Sequence, residues 1–215
     1  MRRPQRPRMR GVCTFTFDDG PNPAWTTNVL AELDRCGVTA TFFMIGERVD
    51  CAPELARAVL EEGHDLELHC DRHIRHSELT DRELADDAEA GLMAFARAGL
   101  PKPRRWRPPW GVRTPATDRV AAEHELELVH WTVDTHDWRG DTSEEMLEAV
   151  GGGIEAGAVV LMHDGLGPGA RRQGAGETVE LIAPLCVLAR GRDLRIVSLS
   201  QAAAVAPGEG RGTPG

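Results

Sequence analysis

At five places the chain passes from an apolar run into a loop, and each carries residues able to do chemistry. Asp18 and Asp19 follow the run 12–17, and His69 closes 65–69, with His73 four residues on and His76 beyond. Arg107, Pro109 and Trp110 end 104–107, Asp134, Asp137 and Trp138 follow 126–132, and Leu161 runs into His163 and Asp164 after 158–162. His69-x-x-x-His73 puts two imidazoles about one helical turn apart, so both can reach one ion. Two histidines and a carboxylate leave a coordination position open, the arrangement of catalytic rather than structural zinc. Asp18-Asp19 can supply that carboxylate and a second beside it. Adjacent residues in a turn point in different directions, so one can bind metal while the other faces the water. An HxxxH pair alone is a weak signal. Its weight comes from the acids, imidazoles and guanidinium gathered at the other strand ends.

These positions converge only if the runs before them are parallel strands, because α/β folds handle ligands where strands end and loops begin. The pattern predicts strands at 12–17, 39–45, 65–69, 104–107, 126–132, 158–162 and 194–198, with 104–107 the weakest by pattern. Amphipathic segments lie between them. Residues 81–98 place Leu84, Ala88, Leu92 and Phe95 on one stripe, and 177–190 turn Leu181, Leu185 and Leu188 inward. Thr80 with Glu83, and Thr142 with Glu145, are capping-box starts; Met146, Leu147, Val150 and Ile154 form the buried face after the second. Asp86-Asp87 and Glu144-Glu145 read as solvated helix faces. The alternation predicts a closed or nearly closed (β/α) barrel of about seven parallel strands, with a doubly wound open sheet as the alternative. Residues 1–10, with five arginines, read as a flexible basic arm, 11–200 as a single domain, and 201–215 as a flexible Gly/Pro-rich tail.

Composition narrows the partners. The balance of 25 basic and 34 acidic residues gives −9, which argues against nucleic acid, since phosphate binding needs a basic face. No apolar run approaches the roughly 20 residues of a membrane helix. Five scattered cysteines without a CxxC pair make neither a disulfide framework nor a thiolate cage. The expectation is a reduced, cytoplasmic protein, or a secreted one should a leader precede this sequence. Oligomeric state is not legible.

Thr16-Phe17-Asp18-Asp19-Gly20-Pro21 resembles the first signature of the polysaccharide deacetylases, the NodB-homology domain of carbohydrate esterase family four. Four further segments match in the family's order: Gly63-His64 to His73, Trp106-Arg107-Pro108-Pro109-Trp110-Gly111, Val133-Asp134-Thr135-His136-Asp137-Trp138, and Val159 to Asp164. Ala40-Thr41-Phe42-Phe43 is similar as well. One such tetrapeptide would be weak; five in order, spanning nearly the whole chain, are specific.

The resemblance implies a distorted (β/α) barrel and metal-dependent removal of an acyl group from an acetylated carbohydrate. Asp19, His69 and His73 are then the ligands of a divalent metal, zinc foremost, with cobalt or nickel as alternatives. Asp18 is the general base, and Arg107 holds it. Asp134 pairs with and orients His163, the general acid. Trp110 lends a backbone N–H to an oxyanion hole, Leu161 lines the acyl pocket, and Pro109 and Trp138 join the substrate wall. No organic cofactor is implied. The chain departs from the family at Cys70, where Ser or Thr is usual, at His73-Ile74-Arg75-His76, where His-Pro is usual, and at Trp110, where Tyr is usual. His76 then competes for the metal or faces solvent or substrate. Two other readings stay open: hydrolysis of a small cytosolic N-acyl or cyclic-imide metabolite, and a non-catalytic carbohydrate-binding module.

Overall fold

A computed structural model of the chain describes residues 11–205. Its strands are β1 (Gly11–Gly20), β2 (Thr41–Ile45), β3 (Asp65–Cys70), β4 (Arg105–Trp106), β5 (Glu127–Leu128), β6 (Val133–Asp134), β7 (Val159–His163) and β8 (Leu194–Ile196). The helices are α1 (Thr26–Cys36), α2 (Gly46–Cys51), α3 (Pro53–Glu61), α4 (Asp81–Arg97), α5 (Pro115–Glu123), α6 (Ser143–Val150), α7 (Gly176–Gly191) and α8 (Leu199–Val205). The strand order is β5-β4-β3-β2-β1-β7-β6, every pairing is parallel, and β8 joins the N-terminal end of β1. The two ends of that path, β5 and β6, are consecutive in the chain. A linker as short as 129–132 cannot span an open sheet, so the sheet curls until its edges approach. Among the described residues no pairing joins β5 to β6, and the result is a distorted (β/α) barrel.

Of the strand expected over 126–132 only β5 forms, and β6 begins just past that range at Val133. The backbone leaves the sheet between them because the carbonyls of Val129 and His130 turn toward the Arg107 side chain. The weakest strand by pattern, around Arg105–Trp106, is present as two residues. Both expected capping boxes form, and a third, Thr114 with Thr117, opens α5. The expected tail begins too early, since α8 continues the fold to Val205. Residues 1–10 and 206–215 lie outside the described residues. No described helix is long and apolar enough to cross a membrane.

Strand alternation separates packing from chemistry. On β1, Phe15 and Phe17 enter the hydrophobic cluster with Phe42, Leu68, Trp106, Met162 and helix residues such as Leu33, Leu84 and Leu181. The alternate residues Thr16 and Asp18 instead meet Arg107 across the barrel. At the far end, Glu67 of β3 binds Arg105 at 2.9 Å. The barrel interior thus holds the buried charged groups, with Phe43 and Leu161 among them, and the layer beneath the helices is apolar.

Candidate active site

Two irregularities break the alternation where the chemistry begins. The β1–β2 register shifts between Asp18 and Gly20, and Asp19 sits at φ 71°, so Asp19 shares a cavity with Asp18 instead of facing away from it. The β2–β3 register shifts at the end of β3, beside His69.

Asp19, His69 and His73 offer ligand atoms that all lie within 4.8 Å of one another. Asp19 Oδ1 stands 3.4 Å from His69 Nε2 and 3.2 Å from His73 Nε2, and this buried oxygen has no hydrogen-bond partner. His69 Nδ1 lies 2.6 Å from the Arg107 carbonyl, which can only accept. The ring proton is therefore on Nδ1, and Nε2 presents its lone pair. Burial opposes ionisation of Asp19, but His69 and His73 outweigh it and hold its pKa well below the carboxylate range. Burial also lowers the His73 pKa, which favours the neutral, ligating ring. An orphaned carboxylate oxygen beside the Nε2 lone pair of His69 and the Nε2 of His73 fits a divalent cation. Cys70, buried at the end of β3, is outside this cluster, and burial pushes its thiol well above its usual range.

The ligand loop is held from below. Asp87 on α4 accepts from the backbone N–H groups of Asp71 and Arg72, each at 3.0 Å. The expected solvated face is wrong at this residue, because Asp87 is buried. The signal was available: Leu84, Ala88 and Gly91 share its face of α4. Behind Asp19, Gly165 and Gly167 pack so closely that a Cβ on either would meet Asp19 atoms at 2.1 and 2.4 Å.

Asp18 Oδ1 accepts from Arg107 Nη1 at 2.8 Å. Arg107 is fully buried, stacks 4.1 Å over Phe43, and also donates to Thr16 Oγ1 at 2.7 Å. Burial presses its pKa down while Asp18 opposes that.

The acid's expected partner must be corrected. His163 Nδ1 pairs with Asp137 Oδ1 at 2.7 Å, not with Asp134. Asp134 Oδ1 is spent on the His136 N–H at 2.8 Å, a local turn that carries His136 at φ 55°. That reversal sends Asp137 inward. Its Oδ2 accepts from the His163 N–H, Arg172 and Thr178. Burial pushes the Asp137 carboxyl up, yet the charge of His163 and then Arg172 outweigh it, and its pKa is lowered. Burial likewise pushes the His163 imidazolium down, but Asp137 reverses this and lifts its pKa to about 9.

The cavity joining these groups measures about 420 Å³. Asp18, the three clustered ligands, Asp134 and His163 line it, as do the expected Trp110, Trp138 and Leu161. Pro109 does not; it is buried in the turn before Trp110. Trp110 adopts φ 53°, meets His73 edge-on at 4.2 Å and carries Arg75 4.1 Å above its ring. Trp131 and the 165–170 loop add walls that the motifs did not single out. His76 corrects both expectations: it is buried against Trp106 with Nδ1 on Thr117 Oγ1, and burial lowers its pKa to about 4. Asp164 is buried beneath Gly20 and accepts from Thr26, and burial raises its pKa to about 7.

The family model described as polysaccharide deacetylase matches residues 5–129. A chitooligosaccharide deacetylase of Bradyrhizobium sp. is 36% identical over 188 residues, 86% of this chain and 80% of the relative. A peptidoglycan-N-acetylglucosamine deacetylase of Bacillus cereus is 33% identical over 197 residues, 91% of this chain and 89% of the relative. The solved family 4 carbohydrate esterase from Streptomyces lividans, in complex with acetate, superposes with TM-score 0.79 at 28% identity, covering 88% of this chain and 93% of that one.

Proposed function

The chain belongs to the polysaccharide deacetylase family, and from that premise we propose that it removes an acetyl group from an N-acetylated or O-acetylated carbohydrate, using a divalent cation held by Asp19, His69 and His73. One observation carries the reading. The orphaned Asp19 Oδ1, poised between two Nε2 atoms, opens on the same cavity as an arginine-held carboxylate and an aspartate-held imidazole. The relatives named for deacetylating chitooligosaccharide and peptidoglycan support the carbohydrate as substrate class.

A bound cation, zinc foremost, would lower the pKa of water toward about 7 and polarise the acyl oxygen. The residues do the rest. Asp18 takes the proton from the attacking water, and Arg107 fixes it in place by binding only Oδ1, which leaves Oδ2 for that proton. His163 directs Nδ1 to Asp137, so Nε2 delivers a proton to the departing nitrogen, without which an amine is a poor leaving group. The raised pKa keeps that proton available at neutral pH. Trp110, turned by its positive φ, offers its backbone N–H to the developing oxyanion, and Leu161 packs against the acetyl methyl. Asp134 serves by shaping the turn that delivers Asp137.

Asp18→Asn tests the assignment. The variant should bind zinc with unaltered stoichiometry and release acetate from N-acetylglucosamine oligomers about 10²–10⁴ times more slowly. Undiminished turnover would sink the base assignment.

A further inference from the structure

Arg172, which no motif singles out, lies against both members of the acid pair. We propose that it is the positioning residue of the His163–Asp137 pair, locking the acid to the loop that walls the cavity; this rests on His163 acting as the acid. Its side chain is only 6% exposed. Nη1 donates to Asp137 Oδ2 at 2.9 Å, while Nη2 donates to the carbonyls of His163 at 2.8 Å and Gly165 at 3.0 Å. Thr178, itself a partner of Arg172, donates to the same carboxylate oxygen at 2.7 Å.

These contacts divide the work of one carboxylate. Oδ2 receives Arg172, Thr178 and the His163 N–H, so Asp137 cannot rotate, and Oδ1 is left aimed at the imidazole. The two carbonyls gripped by Nη2 bracket Asp164, which fixes the backbone as it leaves the acid. From there the chain runs along the cavity through Gly165, Gly167 and Ala170 before returning to Arg172 itself. Spanning a carboxylate and two carbonyls needs the planar fork of a guanidinium. A lysine ammonium is a point charge and cannot span them.

The test compares an amide with an activated ester. Acetate release from an N-acetylglucosamine oligomer requires protonation of the leaving nitrogen, whereas p-nitrophenyl acetate expels a phenolate that needs no proton. Arg172→Met should lower kcat on the oligomer about 10–100-fold with KM little changed, less than the about 10²–10⁴ carried by a general acid itself. Its loss on the ester should be much smaller, and Arg172→Lys should not restore the amide rate. In the metal-free protein the downfield proton resonance of the His163 Nδ1–H should vanish in Arg172→Met. Thr178→Val, which removes another donor from the same oxygen, should show the same selectivity and replaces Arg172→Met if that variant does not fold. Equal losses on both substrates, full rescue by lysine or an unmoved resonance overturns the proposal. His163→Asn separates the two levels: an equal loss on amide and ester there overturns the acid reading itself.

Discussion

Asp137→Asn is the perturbation whose size follows most directly from the geometry. The buried carboxylate lies 2.7 Å from His163 Nδ1 and holds the imidazolium at a pKa of about 9, against an ordinary value of 6.5. Removing the charge while keeping the shape takes away the largest cause that raises the pKa, leaving only the more distant Asp18 and Asp19 against burial, so it falls back toward about 6.5. At pH 8 a group with pKa 9 is about nine-tenths protonated and one with pKa 6.5 about 3%, so the rate should fall about 30-fold. At pH 6 both forms are largely protonated, and most of the difference should close. The descending alkaline limb of kcat/KM, read by acetate release from an N-acetylated oligomer, should therefore shift to lower pH by more than two units. Asp134→Asn should leave that limb in place, because Asp134 faces the His136 N–H. A limb that moves in Asp134→Asn and stays in Asp137→Asn would refute the pairing.

His73→Ala should weaken zinc binding in a chelator competition while leaving the fold intact, since it deletes one of three clustered ligands. Gly167→Ala should also weaken zinc binding, because its Cβ would stand 2.4 Å from Asp19 Oδ2; unchanged affinity would show that the loop yields freely. Arg107→Met should destabilise the protein by about 3–5 kcal/mol in urea titrations, because it strands the buried Asp18 without its partner. His76 is buried with its pKa lowered to about 4, so its folded form resists protonation more than the unfolded chain does. Its contribution is full above the unfolded value and is lost as pH falls through about 6.5 toward 4. His76→Gln should flatten that part of the stability–pH curve.

What the sequence made legible was the edge on which chemistry collects. Asp18, Asp19, His69, His73, Arg107 and His163 all follow or end strands, and all surround one region of the barrel. The pairing of the acid was not legible from strand ends alone. Asp134 directly follows the apolar run, as a partner should, but its side chain caps a local turn, and the left-handed His136 delivers Asp137 instead. A backbone conformation decided between two aspartates three positions apart. Asp87 illustrates a different limit, where charge suggested solvent although helical spacing already placed the residue on the buried face of α4. Arg172 belongs to a third kind. It lies in a Gly-rich segment without periodicity, and its partners at Asp137 and Thr178 become neighbours only when the chain after β7 folds back.

In the proposed reaction a cation at Asp19, His69 and His73 serves the base and the acid in removing acetyl groups from a carbohydrate. Acetate release from N-acetylglucosamine oligomers, measured on the chelator-treated protein before and after one equivalent of zinc is restored, tests it most directly. No release is expected without metal and full recovery with it, accompanied by one free amine per acetate. Equal acetate release before and after zinc would contradict it, as would a fully zinc-loaded protein that releases none from any acetylated carbohydrate.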